Sequence, residues 1–90
     1  MSFREVTALR KSGRFQEAYE MAKKDLEAAP DNKFNKSAMA WVLYEYLKKS
    51  AAKKQYETFT GYLESLADLK LPADDKMVFD SCAYFSMGML

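Results

Sequence analysis

The stretch AMAWVLYEYLKK, residues 38–49, constrains the fold of this chain more than any other feature. It is long enough for about three helical turns and contains neither glycine nor proline, yet its apolar residues do not keep to one side. At ~100° per residue, the apolar residues from Met39 to Leu47 sweep about 160° of the circumference, and Trp41 and Val42 lie beyond its two edges. Because such a surface must be covered, this helix needs neighbours on more than one side.

The rest of the chain predicts further helices to cover it. Only three glycines and two prolines interrupt the sequence, which favours a few long helices over many short strands, and no stretch shows sustained alternation. The apolar period predicts helices over about residues 3–12, 15–28, 33–49, 52–68 and 73–87. The expected fold class is therefore all-α, with stacked antiparallel helical hairpins and about five helices.

Particular residues mark the expected helix ends. Gly13 can take the left-handed conformation that closes a helix, and Pro30 disfavours helix at the residue before it. Asp31 or Asn32 is a suitable cap for the third helix, and Pro72 suits the first position of the fifth. These boundaries predict one domain over residues 1–90, with a hairpin at about 3–29, a second at about 33–68 and the start of a third at about 73–90.

The segment GRFQEAYEMAKKDLEAAPDN, residues 13–32, resembles the second half of a tetratricopeptide repeat. In that family a small residue closes helix A, an aromatic follows two positions later, an alanine three after that, and a proline ends helix B. Gly13, Phe15, Ala18 and Pro30 occupy these positions. The second unit departs from the pattern, because residues 48–54 replace the expected glycine turn. The resemblance implies hairpins that stack side by side, each covering the apolar flank of its neighbour.

The opening of the chain, residues 4–49, also looks like the start of bacterial proteins that carry a tetratricopeptide-like domain of unknown function ahead of further regions. Some of those relatives are linked to phage-conflict systems that contain primase and helicase parts. The last predicted helix is apolar around most of its surface, whereas repeat arrays normally end in a polar capping helix. We therefore expect an N-terminal fragment of a longer chain, or self-association through this C-terminal helix. The alternative is a complete protein with an apolar end.

In the tetratricopeptide register, helix A positions line a concave groove that holds a peptide. The resemblance assigns nine positions of this chain to that groove: Thr7, Arg10, Lys11, Ser37, Trp41, Tyr44, Glu45, Cys82 and Phe85. Trp, Tyr and Arg are the residues that most often carry interface energy. For Trp41 and Tyr44, packing on the neighbouring hairpin is the alternative. The lysine and asparagine that clamp a peptide carboxylate in some family members are missing, so a chaperone-tail receptor is not expected.

Catalytic and metal chemistry are not expected. The chain has no histidine to act as a base near neutral pH, and its single cysteine, Cys82, lies in an apolar helix as an inert core thiol would. Neither a cofactor nor a metal site is predicted, because no multi-cysteine set or calcium-loop spacing is present. The chain is predicted not to be an enzyme.

Charge and hydropathy bear on the partners. Fourteen basic and thirteen acidic residues leave a net charge of +1, so no global field attracts nucleic acid or an anionic membrane. The cluster Lys48, Lys49, Lys53 and Lys54 supports the alternative of an adaptor that contacts nucleic acid locally, but a solvated turn explains it better. No signal peptide or spanning segment is recognisable, which favours the cytoplasm. The expected function is a protein interaction or scaffold module that binds a protein, a peptide or the rest of its own chain.

Overall fold

The computed structural model describes residues 3–88, which fold into five α helices without a strand. The helices are α1 (Phe3–Lys11), α2 (Phe15–Ala28), α3 (Lys33–Ala52), α4 (Tyr56–Asp68) and α5 (Ala73–Met87). The all-α prediction is confirmed. The chain divides into two compact units, Met1–Val42 and Leu43–Leu90, and α3 contributes residues to both. Each unit is described by itself.

In the first unit, α1 and α2 pack against each other as a hairpin that closes at Gly13. Gly13 has a φ of 85°, the left-handed conformation predicted for it, and Arg14 N donates to Leu9 O at 2.8 Å. Val6 of α1 and Ala18 of α2 are buried. The hairpin therefore depends on a glycine at its turn and a small side chain in its interior.

Two asparagines organise the junction between α2 and α3. Asn32 Oδ1 accepts hydrogen bonds from Phe34 N at 2.9 Å and Asn35 N at 3.1 Å, so Asn32 is the cap of α3. Asn35 Nδ2 donates to Asp25 O at 2.9 Å and to Ala29 O at 3.3 Å. Asp25 O and Ala29 O also accept from Ala29 N and Asn32 N, so Asn35 is a second donor to each and ties the first turn of α3 to the end of α2.

The first-unit part of α3 is covered around its circumference, as the sequence predicted. Ala38, Met39, Ala40 and Val42 are all buried, and Trp41 is half-buried. Since consecutive helical residues point about 100° apart, burial of neighbouring positions excludes solvent from several sides of the helix.

In the second unit, the predicted start of the fourth helix at residue 52 is wrong. Ala52 is the last residue of α3, and α4 begins at Tyr56. Ala52 fits the apolar spacing of α4, but nothing after Ser50 breaks α3, and the turn comes only at Lys54, which has a φ of 57°. Gln55 N then donates to Ser50 O at 2.9 Å. A lysine here takes the conformation that a glycine would take more readily.

α5 begins at Ala73, the predicted residue, but the position of Pro72 differs from its prediction. Pro72, with a φ of −53° and a ψ of 151°, is the residue before the helix rather than its first position. The core of the second unit draws apolar side chains from all three of its helical segments, and Ser50 and Ser86 are buried with them. These apolar residues are Leu43, Leu47, Phe59, Leu66, Phe79 and Ala83. Within residues 3–88, no helix combines the length and the apolar composition needed to cross a bilayer.

Candidate interaction surface

In the first unit, α1 and α3 contact each other at two aromatic positions. The ring centroids of Phe3 and Phe34 lie 6.2 Å apart at an interplanar angle of 72°. The Arg10 guanidinium carbon lies 5.4 Å from the centre of the Trp41 ring. Phe3 and Phe34 lie near the N-terminal ends of their helices, whereas Arg10 and Trp41 each lie seven residues further along. The two helices therefore run side by side and parallel.

Of the groove residues predicted in this unit, the structure brings Arg10 and Trp41 together. Both side chains are half-buried, and a guanidinium over an indole face is a favourable cation–π pair. Thr7 is half-buried, and its Oγ1 donates to Phe3 O at 2.9 Å within the helix. Ser37 is half-buried and Lys11 is exposed. This side of α1 and α3 is polar with one aromatic centre.

The predicted groove residues of the second unit form a different environment. The Tyr44 ring contacts Phe79 edge-on, with centroids 6.4 Å apart. Lys48 Nζ lies 4.9 Å from the Tyr44 ring centre and 3.2 Å from Glu45 Oε1. One lysine of the basic cluster is thus engaged by an aromatic face and a carboxylate.

The pKa of the Tyr44 phenol is also raised. Burial raises the pKa of the Tyr44 phenol, and hydrogen bonding with the Cys82 thiol raises this pKa further. Both effects favour the neutral phenol. Cys82 is half-buried, and it lies beside Tyr44 rather than in the fully buried core that the sequence predicted.

Phe85, the remaining predicted residue, lies on an exposed apolar surface of the second unit. It is 77% exposed, and the neighbouring α5 side chains Met77, Val78 and Tyr84 are 70%, 49% and 78% exposed. At ~100° per residue, these four side chains fall within about 120° of one face of α5. We call these four residues the α5 apolar face. The opposite side of the helix carries the buried Phe79 and Ala83.

The sequence singled out Phe85 but not its three neighbours on this face. The sequence did show that residues 77–87 are apolar around most of the helix, which includes these three positions. When apolar residues lie on nearly every side of a helix, their spacing does not indicate which side packs against the core. Only the burial of Phe79, Ala83 and Ser86 shows the packed side.

Comparisons with protein-family models, with curated proteins and with solved structures found no match. Within residues 3–88, no three His, Cys, Asp or Glu side chains are grouped so as to hold a metal ion. The Arg10–Trp41 contact, the surroundings of Tyr44 and the α5 apolar face are the basis for a functional proposal.

Proposed function

We propose that this chain is a non-catalytic protein interaction module, related to tetratricopeptide repeats, that binds an amphipathic helix of a partner protein. The observation that carries the proposal is the α5 apolar face. Four large apolar side chains on one face of a single helix are between 49% and 78% exposed.

The physical argument concerns the cost of leaving this face in water. Contiguous exposed apolar patches usually mark interaction sites in soluble proteins. Two of the four side chains, Tyr84 and Phe85, are aromatic, and aromatic anchors carry a large share of interface energy. Phe79 and Ala83 anchor the other side of α5 in the core, so the face is presented on a fixed support.

The arrangement of α1 and α3 supports the repeat-like part of the proposal. Antiparallel hairpins that stack in the same orientation place their first helices side by side and parallel. The Phe3–Phe34 and Arg10–Trp41 contacts fit that arrangement. The sequence resemblance of residues 13–32 points the same way, and a cytoplasmic location remains part of the proposal.

The test uses a displayed library of amphipathic helical peptides, selected for binding to the full chain. We expect selected peptides to lose about 30-fold in affinity on Phe85→Ser, because a central anchor contributes about 2 kcal/mol. Tyr84→Ser should act similarly. Tyr56→Ser is the matched control, since Tyr56 is 59% exposed on α4 and lies outside the α5 apolar face.

Two results would count against the proposal. The first is a selection that yields no saturable binder. The second is a set of binders whose affinity changes as much on Tyr56→Ser as on Phe85→Ser. A second copy of the chain is the competing partner for this face. Sedimentation over a range of concentrations tests for it: self-association gives a mass that rises with concentration, and this rise should be absent in Phe85→Ser.

Nucleic-acid binding is the alternative from another class. It rests on the predicted basic residues Arg10, Lys11 and Lys48 to Lys54. Of these, Lys53 and Lys54 are exposed at the turn, and Lys48 contacts Glu45 and Tyr44. Binding through phosphate contacts weakens steeply as salt rises, but binding through an apolar face responds little. Affinity for a mixed-sequence oligonucleotide, measured at several salt concentrations, separates the two functions.

A further inference from the structure

A cavity of about 320 Å³ lies between α4 and α5 in the second unit. Its interior is apolar, because Leu66, Phe79 and Ala83 line it and are buried. Leu63 and Leu71 line it as half-buried residues. The exposed Ala67 and three exposed charged residues, Lys70, Lys76 and Asp80, complete the lining. The cavity therefore combines an apolar interior with exposed charged residues at its opening.

We propose that this cavity binds a small amphipathic anion of the medium-chain carboxylate class. The alkyl chain lies against the leucines and Phe79, and the carboxylate lies at the opening with the two lysines. This inference is independent of the α5 apolar face, which is formed by other residues of α5.

The charge of the opening selects the sign of the head group. Of the three charged residues that line the cavity, two are lysines and one is an aspartate. An anionic head group gains attraction from Lys70 and Lys76, whereas a cationic one meets their repulsion. Asp80 adds a repulsion that disfavours a second negative charge on the ligand, so a single carboxylate fits better than a dianion.

The volume selects the size of the ligand. Ligand sites run from roughly 300 to 1,000 Å³, which places this cavity at the small end. At about 30 Å³ for each non-hydrogen atom, it accommodates on the order of ten such atoms. Octanoate has this size, and it is the probe we choose.

The experiment is an amide NMR titration of the full chain with octanoate. We expect saturable shifts at Leu66, Ala67, Lys70 and Phe79, with a dissociation constant on the order of 1 mM, which is typical of a ligand with about ten atoms. Butyrate should bind more weakly because its six non-hydrogen atoms fill only a little more than half of the cavity. Octylammonium should bind more weakly than octanoate because its charge has the wrong sign.

Variants test the two halves of the site separately. The double variant Lys70→Asn with Lys76→Gln should weaken octanoate about fivefold and leave octan-1-ol unchanged, since only the charge is lost. Lys54→Asn with Lys53→Gln is the matched control, because Lys54 and Lys70 both have a positive φ and neither control residue lines the cavity. Ala67→Leu should reduce affinity at least tenfold by filling the cavity, whereas Ala52→Leu should not.

Any of three results would overturn the proposal. They are the absence of saturable shifts at the cavity residues, equal affinity for octanoate and octylammonium, and shifts centred on Met77, Tyr84 and Phe85 instead of the cavity. Thermal melts of each variant establish that the fold is kept. Loss of peptide binding by Phe85→Ser with octanoate binding intact would keep this inference separate from the proposed function.

Discussion

Ala18 is a residue at which the first hairpin accepts only a small side chain. It is completely buried in α2, which packs on α1. Ala18→Leu adds three carbon atoms to a filled space, so we expect a loss of roughly 1 to 3 kcal/mol in the free energy of unfolding. Urea denaturation measures it, and Ala28→Leu, at an exposed position of the same helix, is the control. Equal stability of Ala18→Leu and the unaltered chain would contradict close packing of α1 on α2.

Lys54 has a left-handed backbone conformation that is unfavourable for a residue with a Cβ atom. Its φ of 57° costs a non-glycine residue about 1 to 2 kcal/mol, although it is needed to end α3. Lys54→Gly relieves that cost and loses part of the gain to the greater freedom of glycine in the unfolded chain. We expect a net stabilisation of about 0.5 to 1 kcal/mol in urea denaturation. Lys53→Gly, beside it but without a positive φ, should destabilise instead.

Tyr44 makes the stability of the fold depend on pH. Because burial and Cys82 raise the pKa of the phenol, folding favours the neutral form. The contribution of Tyr44 to stability is therefore complete below about pH 10, the ordinary tyrosine value, and it is lost as pH rises through the raised pKa. Stability measured at increasing pH should fall less steeply above pH ~10 in Tyr44→Phe than in the unaltered chain. Identical slopes would show that Tyr44 does not titrate differently in the two states.

At the scale of elements, the start of α3 depends on one side-chain oxygen. Asn32 Oδ1 accepts from two backbone N–H groups in the first turn, and replacement of such a cap by alanine costs about 1 kcal/mol. We expect that loss for Asn32→Ala in thermal or urea unfolding. Asp31→Ala should change stability by only a few tenths of a kcal/mol. The opposite ranking would place the cap at Asp31.

The helices themselves were largely predictable, and the exceptions have a common cause. The apolar period, Gly13 and Pro30 fixed the first two helices closely, and the predicted limits of α5 agree with the structure. The end of α3 was not predictable, because it occurs at a lysine in a left-handed conformation. Lys70, with a φ of 52°, follows α4 in the same way, although the apolar period predicted the end of α4 at Asp68. Sequence rules anticipate glycine or asparagine at such positions, so a strained lysine gives no signal.

At the scale of the whole molecule, the predicted groove separates into two local sites. Thr7, Arg10, Lys11, Ser37 and Trp41 belong to the first unit, and Tyr44, Glu45, Cys82 and Phe85 to the second. The pairing of Arg10 with Trp41 was not foreseen, since a register names positions without saying which side chains touch. The cavity between α4 and α5 was not foreseen either, because a void depends on how far two helices separate rather than on their composition. The nine-residue groove as a whole stays a prediction.

The account rests on α1 and α3 running side by side and parallel in the first unit. Nuclear Overhauser contacts between side-chain protons measure this directly. We predict contacts between the Phe3 and Phe34 rings, and between the Arg10 side chain and the Trp41 indole. Contacts of Phe3 with Trp41 and of Arg10 with Phe34 would show antiparallel helices and contradict the parallel arrangement of α1 and α3.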